Sequence, residues 1–156
     1  MLGYKDLPFE VIQTGEYYHE LLETGRIKID PKKKIKELVT LQDPCNLVRR
    51  AGLADMFREV VNATCENFVE MTPNREHNYC CNAGGGMAGL SNWTAHKCKG
   101  NRVKADQIRE TGATIVIAPC HNCGTGIKDI LKYWGLGAKH MFFDELIAKT
   151  MNVKVE

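Results

Sequence analysis

The spacing of apolar residues changes along the chain, and the changes predict an order of elements. Leu53, Met56, Phe57, Val60 and Val61 recur at helical spacing, which predicts a helix with one buried face. Thr114-Ile115-Val116-Ile117-Ala118 is a short continuous apolar run halted by Pro119, as in a strand covered on both faces. Leu38-Val39-Thr40-Leu41 predicts an earlier strand, ended at Asp43-Pro44 because proline has no N–H for a ladder. Asn67-Phe68-Val69-Glu70-Met71 predicts another. His140-Met141-Phe142-Phe143 predicts the last, ahead of a short helix capped by Asp144. Ile127, Ile130, Leu131 and Trp134 share one side of a helix that Gly135 and Gly137 break. Residues from Met87 to Thr111 read as largely helical, in two pieces around Gly100, with Gly112 at the end. Near the start, Thr14 suits the cap of a helix through Tyr17, Tyr18, Leu21 and Leu22, which Gly25 ends.

Strands alternating with helices predict an α/β fold: three layers, a mainly parallel sheet of about four strands, and helices on both faces. Residues 1–35 read as an N-terminal lead-in with a helix, and residues 36–156 as the domain itself. In such sheets ligands gather beyond the carboxyl ends of the strands. Cys45 follows the first strand, Cys80 and Cys81 lie in the loop after the second, and Cys120 and Cys123 follow the third. All five are therefore expected on one edge.

Composition narrows the chemistry. At 156 residues, 44% apolar and 26% charged, the chain fits one soluble domain, and a net charge of +2 is too small to argue for nucleic acid. The run Lys32-Lys33-Lys34 with Lys36 reads as a solvated surface. No segment approaches the roughly 18–20 consecutive apolar residues of a membrane span. Met1-Leu2-Gly3-Tyr4-Lys5-Asp6 lacks the basic start and apolar stretch of a secretory signal, so the chain is expected in the cytoplasm. In a reducing compartment, seven clustered cysteines point to metal binding or redox chemistry rather than disulfides.

Cys45 is followed after 34 residues by Cys80-Cys81, and after 38 more by Cys120-His121-Asn122-Cys123. A two-residue spacer at a strand-to-helix turn lets both sulfurs converge on one centre, as in zinc sites, iron–sulfur sites and thiol–disulfide enzymes. Adjacent cysteines tend to diverge, so Cys80 and Cys81 suit different metal atoms better than one ion. Five thiolates exceed the needs of one tetrahedral zinc, although zinc on four of them is the alternative cofactor. Thiolates in this number favour an iron–sulfur cluster.

Gly84-Gly85-Gly86 lacks the downstream lysine of a phosphate loop. Its expected role is to let the backbone approach the cluster and aim N–H groups at its sulfurs. His121, between two proposed ligands, is a candidate for a proton or a supporting hydrogen bond, with a solvent-facing role equally open. Cys65 and Cys98 read as packing thiols. His19, His77, His96 and His140 show no ligand spacing, and no catalytic residue is identified.

Asp43-Pro44-Cys45-Asn46-Leu47, Cys80-Cys81-Asn82-Ala83-Gly84-Gly85-Gly86 and Ala118-Pro119-Cys120-His121-Asn122-Cys123 together resemble the cysteine-rich CCG domain. That domain occurs in the B and D components of heterodisulfide reductases, in iron–sulfur subunits of sulfate-reducer membrane complexes, and more distantly in glycolate and lactate oxidation subunits. The resemblance covers about residues 36–150. Asn82 stands where the family pattern has glycine, and the gap before Cys120 is slightly long.

The resemblance implies a four-iron, non-cubane cluster on the five cysteines and electron transfer to or from a disulfide or thiol substrate. It implies partners: other subunits or domains of a redox complex, a ferredoxin-like donor, and a membrane quinone-linked subunit. The chain would then sit in the cytoplasm or at the periphery of such a complex. Family subunits usually carry a ferredoxin-like domain as well, so this chain is expected to be one domain of a longer protein or a small separate subunit.

Overall fold

The computed structural model describes residues 8–152, and the reading of the first six residues lies outside them. Four strands, β1 (Ile35–Leu41), β2 (Cys65–Phe68), β3 (Ile115–Ala118) and β4 (Lys139–Phe142), form one all-parallel sheet in the order β2-β1-β3-β4. The helices are α1 (Thr14–Glu23), α2 (Ala54–Thr64), α3 (Thr94–Gly100), α4 (Arg102–Thr111), α5 (His121–Tyr133) and α6 (Phe143–Thr150).

Side chains alternate across each strand, so each face of the sheet feeds its own core. Val39, Leu41, Ile115 and Ile117 point to one side, where Phe57, Val60 and Val61 of α2 and Phe143, Leu146 and Ile147 of α6 cover them. Val116 points to the other, against Ile108 of α4 and Ile127, Ile130 and Leu131 of α5. Each fully buried side chain of this kind contributes roughly 1.5–3 kcal/mol. This is the three-layer α/β arrangement expected from the sequence. Among the described residues, no helix is long and apolar enough to cross a membrane.

Several local expectations shift. β2 begins at Cys65, ahead of the predicted Asn67, and ends at Phe68. It is an edge strand fixed by main-chain pairing (Ile35 with Cys65, Val39 with Phe68), and its half-exposed side chains carry little pattern. Asp144 lies inside the first turn of α6; the cap position belongs to Phe142, whose side chain makes no cap bond. Gln13, one residue before the expected Thr14, caps α1 through a reciprocal bond with Glu16. Residues Met87–Gly89 and Ser91–Trp93 form 3-10 turns, and only α3 and α4, divided at Gly100–Asn101, are α-helical.

His140 on β4 supplies a pH test. Burial, with Lys128 adding to it, pushes its pKa down to about 4, and its Nε2 is buried without a partner. The folded chain then binds fewer protons than the unfolded chain between about pH 6.5 and pH 4, so stability falls as pH drops through that window. The metal-free protein is expected to lose ~1 kcal/mol from this group between pH 7 and pH 5, a figure discounted for solvent screening. His140→Leu should remove that loss. Urea midpoints of both proteins at the two pH values check it, and equal acid sensitivity counts against it.

Candidate metal centre

Beyond β1, buried Gln42 and Asp43 lead to Pro44, which precedes a π-helical turn, Cys45–Arg50. π-turns are rare and concentrate at functional sites. Buried Val48 anchors the turn, leaving Cys45, its first residue, exposed. β3 leads through Pro119 to Cys120, the residue preceding α5, and places Cys123 in the first turn of that helix. Cys80-Cys81 arrives by a longer path, after a 3-10 turn at Arg75–His77.

Two arginines fasten these loops together. Arg58 of α2 donates to both carboxylate oxygens of fully buried Asp43 (2.9 Å each) and to both of Glu70 (2.6 and 2.9 Å). Asp43 also accepts from the amide of Arg75 at 2.6 Å, and Arg75 sits at φ 54°. Arg49, from the Cys45 turn, donates to the carbonyls of Glu76 (2.7 Å) and Asn78 (2.9 Å) on the way to Cys80. From the other side, Asn101 Nδ2 donates to the Cys80 carbonyl (2.8 Å) and Asn82 Nδ2 to the Lys97 carbonyl (3.0 Å). Asn82 has φ 62°, in the left-handed region where glycine is unstrained and asparagine is the next best tolerated. That accounts for asparagine where the family pattern has glycine.

The thiols of Cys80, Cys81, Cys123 and Cys120 form a chain of interacting neighbours, and Cys45 faces Cys80. Cys45, Cys80, Cys81 and Cys123 line one cavity of about 120 Å³. Cys120 and His121 border a larger cleft of about 530 Å³, walled by Tyr18, Asn46, Phe142 and Asp144. Ala83 and Ala118, both buried, pack with Cys81 and Cys123 into a dry wall.

Among the described residues, no three cysteines place all their sulfurs within 4.8 Å of one another. One zinc with bonds of about 2.3 Å would hold its sulfurs roughly 3.8 Å apart. The donor set is five thiols, one more than a tetrahedral zinc takes, which fits a cluster of several metal atoms.

Hydrogen bonds from Cys123 and Cys80 pull the Cys81 thiol far below its ordinary range. Cys123 holds Cys120 down to about 6, helped by the partial positive charge of the first amides of α5. As donors, Cys80 and Cys123 are pushed up. Lys104 of α4 lies beneath the site, fully buried. Burial pushes its pKa down to about 7, against the pull of Asp43 and of Cys81, Cys123 and Cys80.

The structure thus brings Cys45, Cys80, Cys81, Cys120 and Cys123 together at the carboxyl edge of the sheet. Cys65 opens β2 at the opposite end, and Cys98 is buried among Ile108, Ile127 and Ile130; burial raises both thiols. Gly84, Gly85 and Gly86 form an exposed turn in which a Cβ would meet no atom within 4 Å. The amides directed at the sulfurs belong instead to Asn82, which donates to Cys80 Sγ (3.2 Å), and Ala83, which faces Cys81. His121 is exposed and stacks on Phe142, with ring centroids 5.3 Å apart.

Sequence reasoning missed Asp43, Arg58, Arg49, Asn78 and Lys104. Only Lys104 left a trace, since it occupies the buried stripe Asn101, Lys104, Ala105, Ile108.

Comparison with known proteins adds a lineage. The family model for the cysteine-rich domain CCG matches residues 39–128. The D component of the dihydromethanophenazine:CoB–CoM heterodisulfide reductase of Methanosarcina barkeri is 35% identical over 131 residues, covering 83% of this chain and 31% of that protein. Iron–sulfur subunit 2 of the Hdr-like menaquinol oxidoreductase of Archaeoglobus fulgidus is 29% identical over 125 residues, 76% of this chain and 22% of the relative. The B component of the fumarate reductase (CoM/CoB) of Methanothermobacter marburgensis is 34% identical over 139 residues, 85% of this chain and 26% of the relative. The chain spans less than a third of the length of these curated relatives. No solved structure matches it at a significant level. With its three cysteine loops inside the matched segment, the chain belongs to the CCG cysteine-rich domain family.

Proposed function

We propose that this chain is the redox domain of a heterodisulfide-reductase-like oxidoreductase. It holds a four-iron, non-cubane iron–sulfur cluster on Cys45, Cys80, Cys81, Cys120 and Cys123, and passes electrons to or from a disulfide or thiol substrate. The observation that carries this reading is the meeting of five cysteines from three loops at one sheet edge, four lining one cavity and Cys120 beside Cys123, one thiol more than a single tetrahedral ion takes. The names of the relatives, iron–sulfur and heterodisulfide reductase subunits, support it.

When bound, the cluster supplies one-electron transfers, two of which a disulfide requires. The chain's own residues prepare the site. Cys81 and Cys120, each beside Cys123, are the thiols held below their ordinary range and so give up their protons most readily. Ala83 and Ala118 keep water from the inner sulfurs, and Gly85 and Gly86 supply the positive φ of the exposed turn that follows. A substrate reaches Cys120 through the 530 Å³ cleft, whose apolar walls include Leu47, Phe142 and Phe143. His121, held over Phe142 at that cleft, is placed to hold the proton that a released thiolate takes up. Electrons come from other subunits or domains of the same complex, a ferredoxin-like donor or a membrane quinone-linked subunit. The domain works in the cytoplasm, at the periphery of that complex.

Anaerobically prepared protein is expected to carry ~4 irons with matching labile sulfide per chain. Cys81→Ser should reduce the iron and alter its electron paramagnetic resonance spectrum, whereas Cys65→Ser should change neither. Stoichiometric zinc with no visible absorption would replace this reading with a zinc-stabilised docking module. Turnover of a disulfide by the complete complex separates catalyst from relay.

A further inference from the structure

Asn78 at the wall of the cysteine cavity leaves a buried NH₂, two donors, without an acceptor. It is 4% exposed; its Oδ1 accepts from Lys104 Nζ at 2.6 Å, and its Nδ2 has no partner. Asp43 and the thiolates of Cys81, Cys123 and Cys80 favour the charged form of Lys104, and an ammonium only donates, so it faces the amide oxygen. The free NH₂ then belongs to a residue lining the same cavity as Cys45, Cys80, Cys81 and Cys123. Buried donors are nearly always paired, so the missing acceptor is to be sought in whatever the cavity holds.

Lys104 shows a matching imbalance. Its side chain is fully buried, and its bonds go to Asn78 Oδ1, Gln107 Oε1 and Met71 Sδ, all neutral. Buried ammonium groups are rarely left without a counter-charge. Lys97, the other buried lysine among the described residues, has one in Asp129 at 3.5 Å. The charges that act on Lys104 are those of Asp43 and of the cysteines at the site.

We propose that Asn78 donates its Nδ2–H to a sulfur of the cluster and that Lys104, gripping the other end of the amide, is a positioning residue that polarises this bond, the pair together raising the reduction potential. This rests on the iron–sulfur reading above. Reduction adds negative charge at the cluster, and a donor backed by a buried cation stabilises the reduced form over the oxidised one. Gln107 keeps Lys104 in place, since its Nε2 is itself tied to the Pro73 carbonyl.

The test is a potentiometric titration of anaerobic protein followed by electron paramagnetic resonance, on Asn78→Leu, Lys104→Met and the exposed-site control Lys99→Met. Asn78→Leu and Lys104→Met should retain iron while the ratio of reduced to oxidised cluster at a fixed potential falls about tenfold, about 59 mV for a one-electron couple. Combining them should lower the potential by less than the sum, because the two act through one bond. Lys99→Met should titrate like the parent.

A second measurement needs no variant to fold. With asparagine labelled by ¹⁵N only in its side-chain amide, pulsed resonance on the parent protein should detect one nitrogen coupled to the cluster. Full iron with an unchanged potential, loss of iron from both variants, or no coupled amide nitrogen in the parent would each overturn the proposal. A parent chain without iron would overturn the reading beneath it instead.

Discussion

Replacing Arg58 with methionine is expected to cost about 3–5 kcal/mol of stability and to deprive the chain of its iron. Asp43 has no exposed side-chain surface, and Arg58 supplies two of its three hydrogen bonds. Methionine fills a similar volume, so little of the loss comes from a void; most comes from a carboxylate stranded in an apolar setting. Asp43 stands two residues before Cys45 and bonds the Arg75 amide five residues before Cys80. When it loses its partner, two of the three cysteine loops lose their common anchor. Arg58→Lys should rescue little, because an ammonium cannot reproduce the fork that grips Asp43 and Glu70 together. The double variant Asp43→Asn/Arg58→Met should recover part of the stability by removing the stranded charge. Denaturant midpoints and iron per chain for the three variants decide it. A methionine variant with parental stability would show that the network is dispensable.

The same network marks the limit of what the sequence discloses. Ile115-Val116-Ile117 is legible because every one of its side chains is buried, so a continuous apolar run can only be a strand covered on both faces. The helical stripe of α2 is legible for the opposite reason, one face wet and one dry. The bounds of β2 are not, because Glu66 and Asn67 point to solvent and its place is set by main-chain pairing with β1. The cysteine loops announce themselves through residue type and spacing. Their supports are harder to read: Arg58 lies on a helix whose other charged residues, Asp55 and Glu59, are solvated, and Lys104, although it falls on the buried stripe of α4, has no visible reason to be there until Asn78 and Gln107 are found around it. Chemistry borne by rare residues is readable in one dimension, whereas the polar groups that hold it depend largely on partners distant in the chain, as Arg58 does on Asp43 and Lys104 on Asn78.

Gly126→Ala should be nearly as damaging, although a general rule points the other way. Glycine inside a helix is unfavourable by roughly 0.5–1 kcal/mol relative to alanine, so the substitution would ordinarily stabilise α5. Here a Cβ at position 126 would stand 2.3 Å from the carbonyl oxygen of Cys81 and 2.9 Å from the Cβ of Ala83. The first obstacle is backbone and cannot rotate aside; relief requires moving α5 or the Cys80-Cys81 loop. Overpacking of this kind costs about 1–3 kcal/mol, which exceeds the propensity gain. The displacement also falls on Cys81 and Cys123, the pair whose contact joins the two loops. The expected result is therefore a lower melting temperature together with loss of iron. Gly100→Ala serves as the control, since a Cβ there meets no atom within 4 Å at the end of α3. A Gly126→Ala protein that melts like the parent and keeps its iron would mean that the cysteine loop can shift without consequence, and that the tight passage of α5 beneath it has no part in shaping the site.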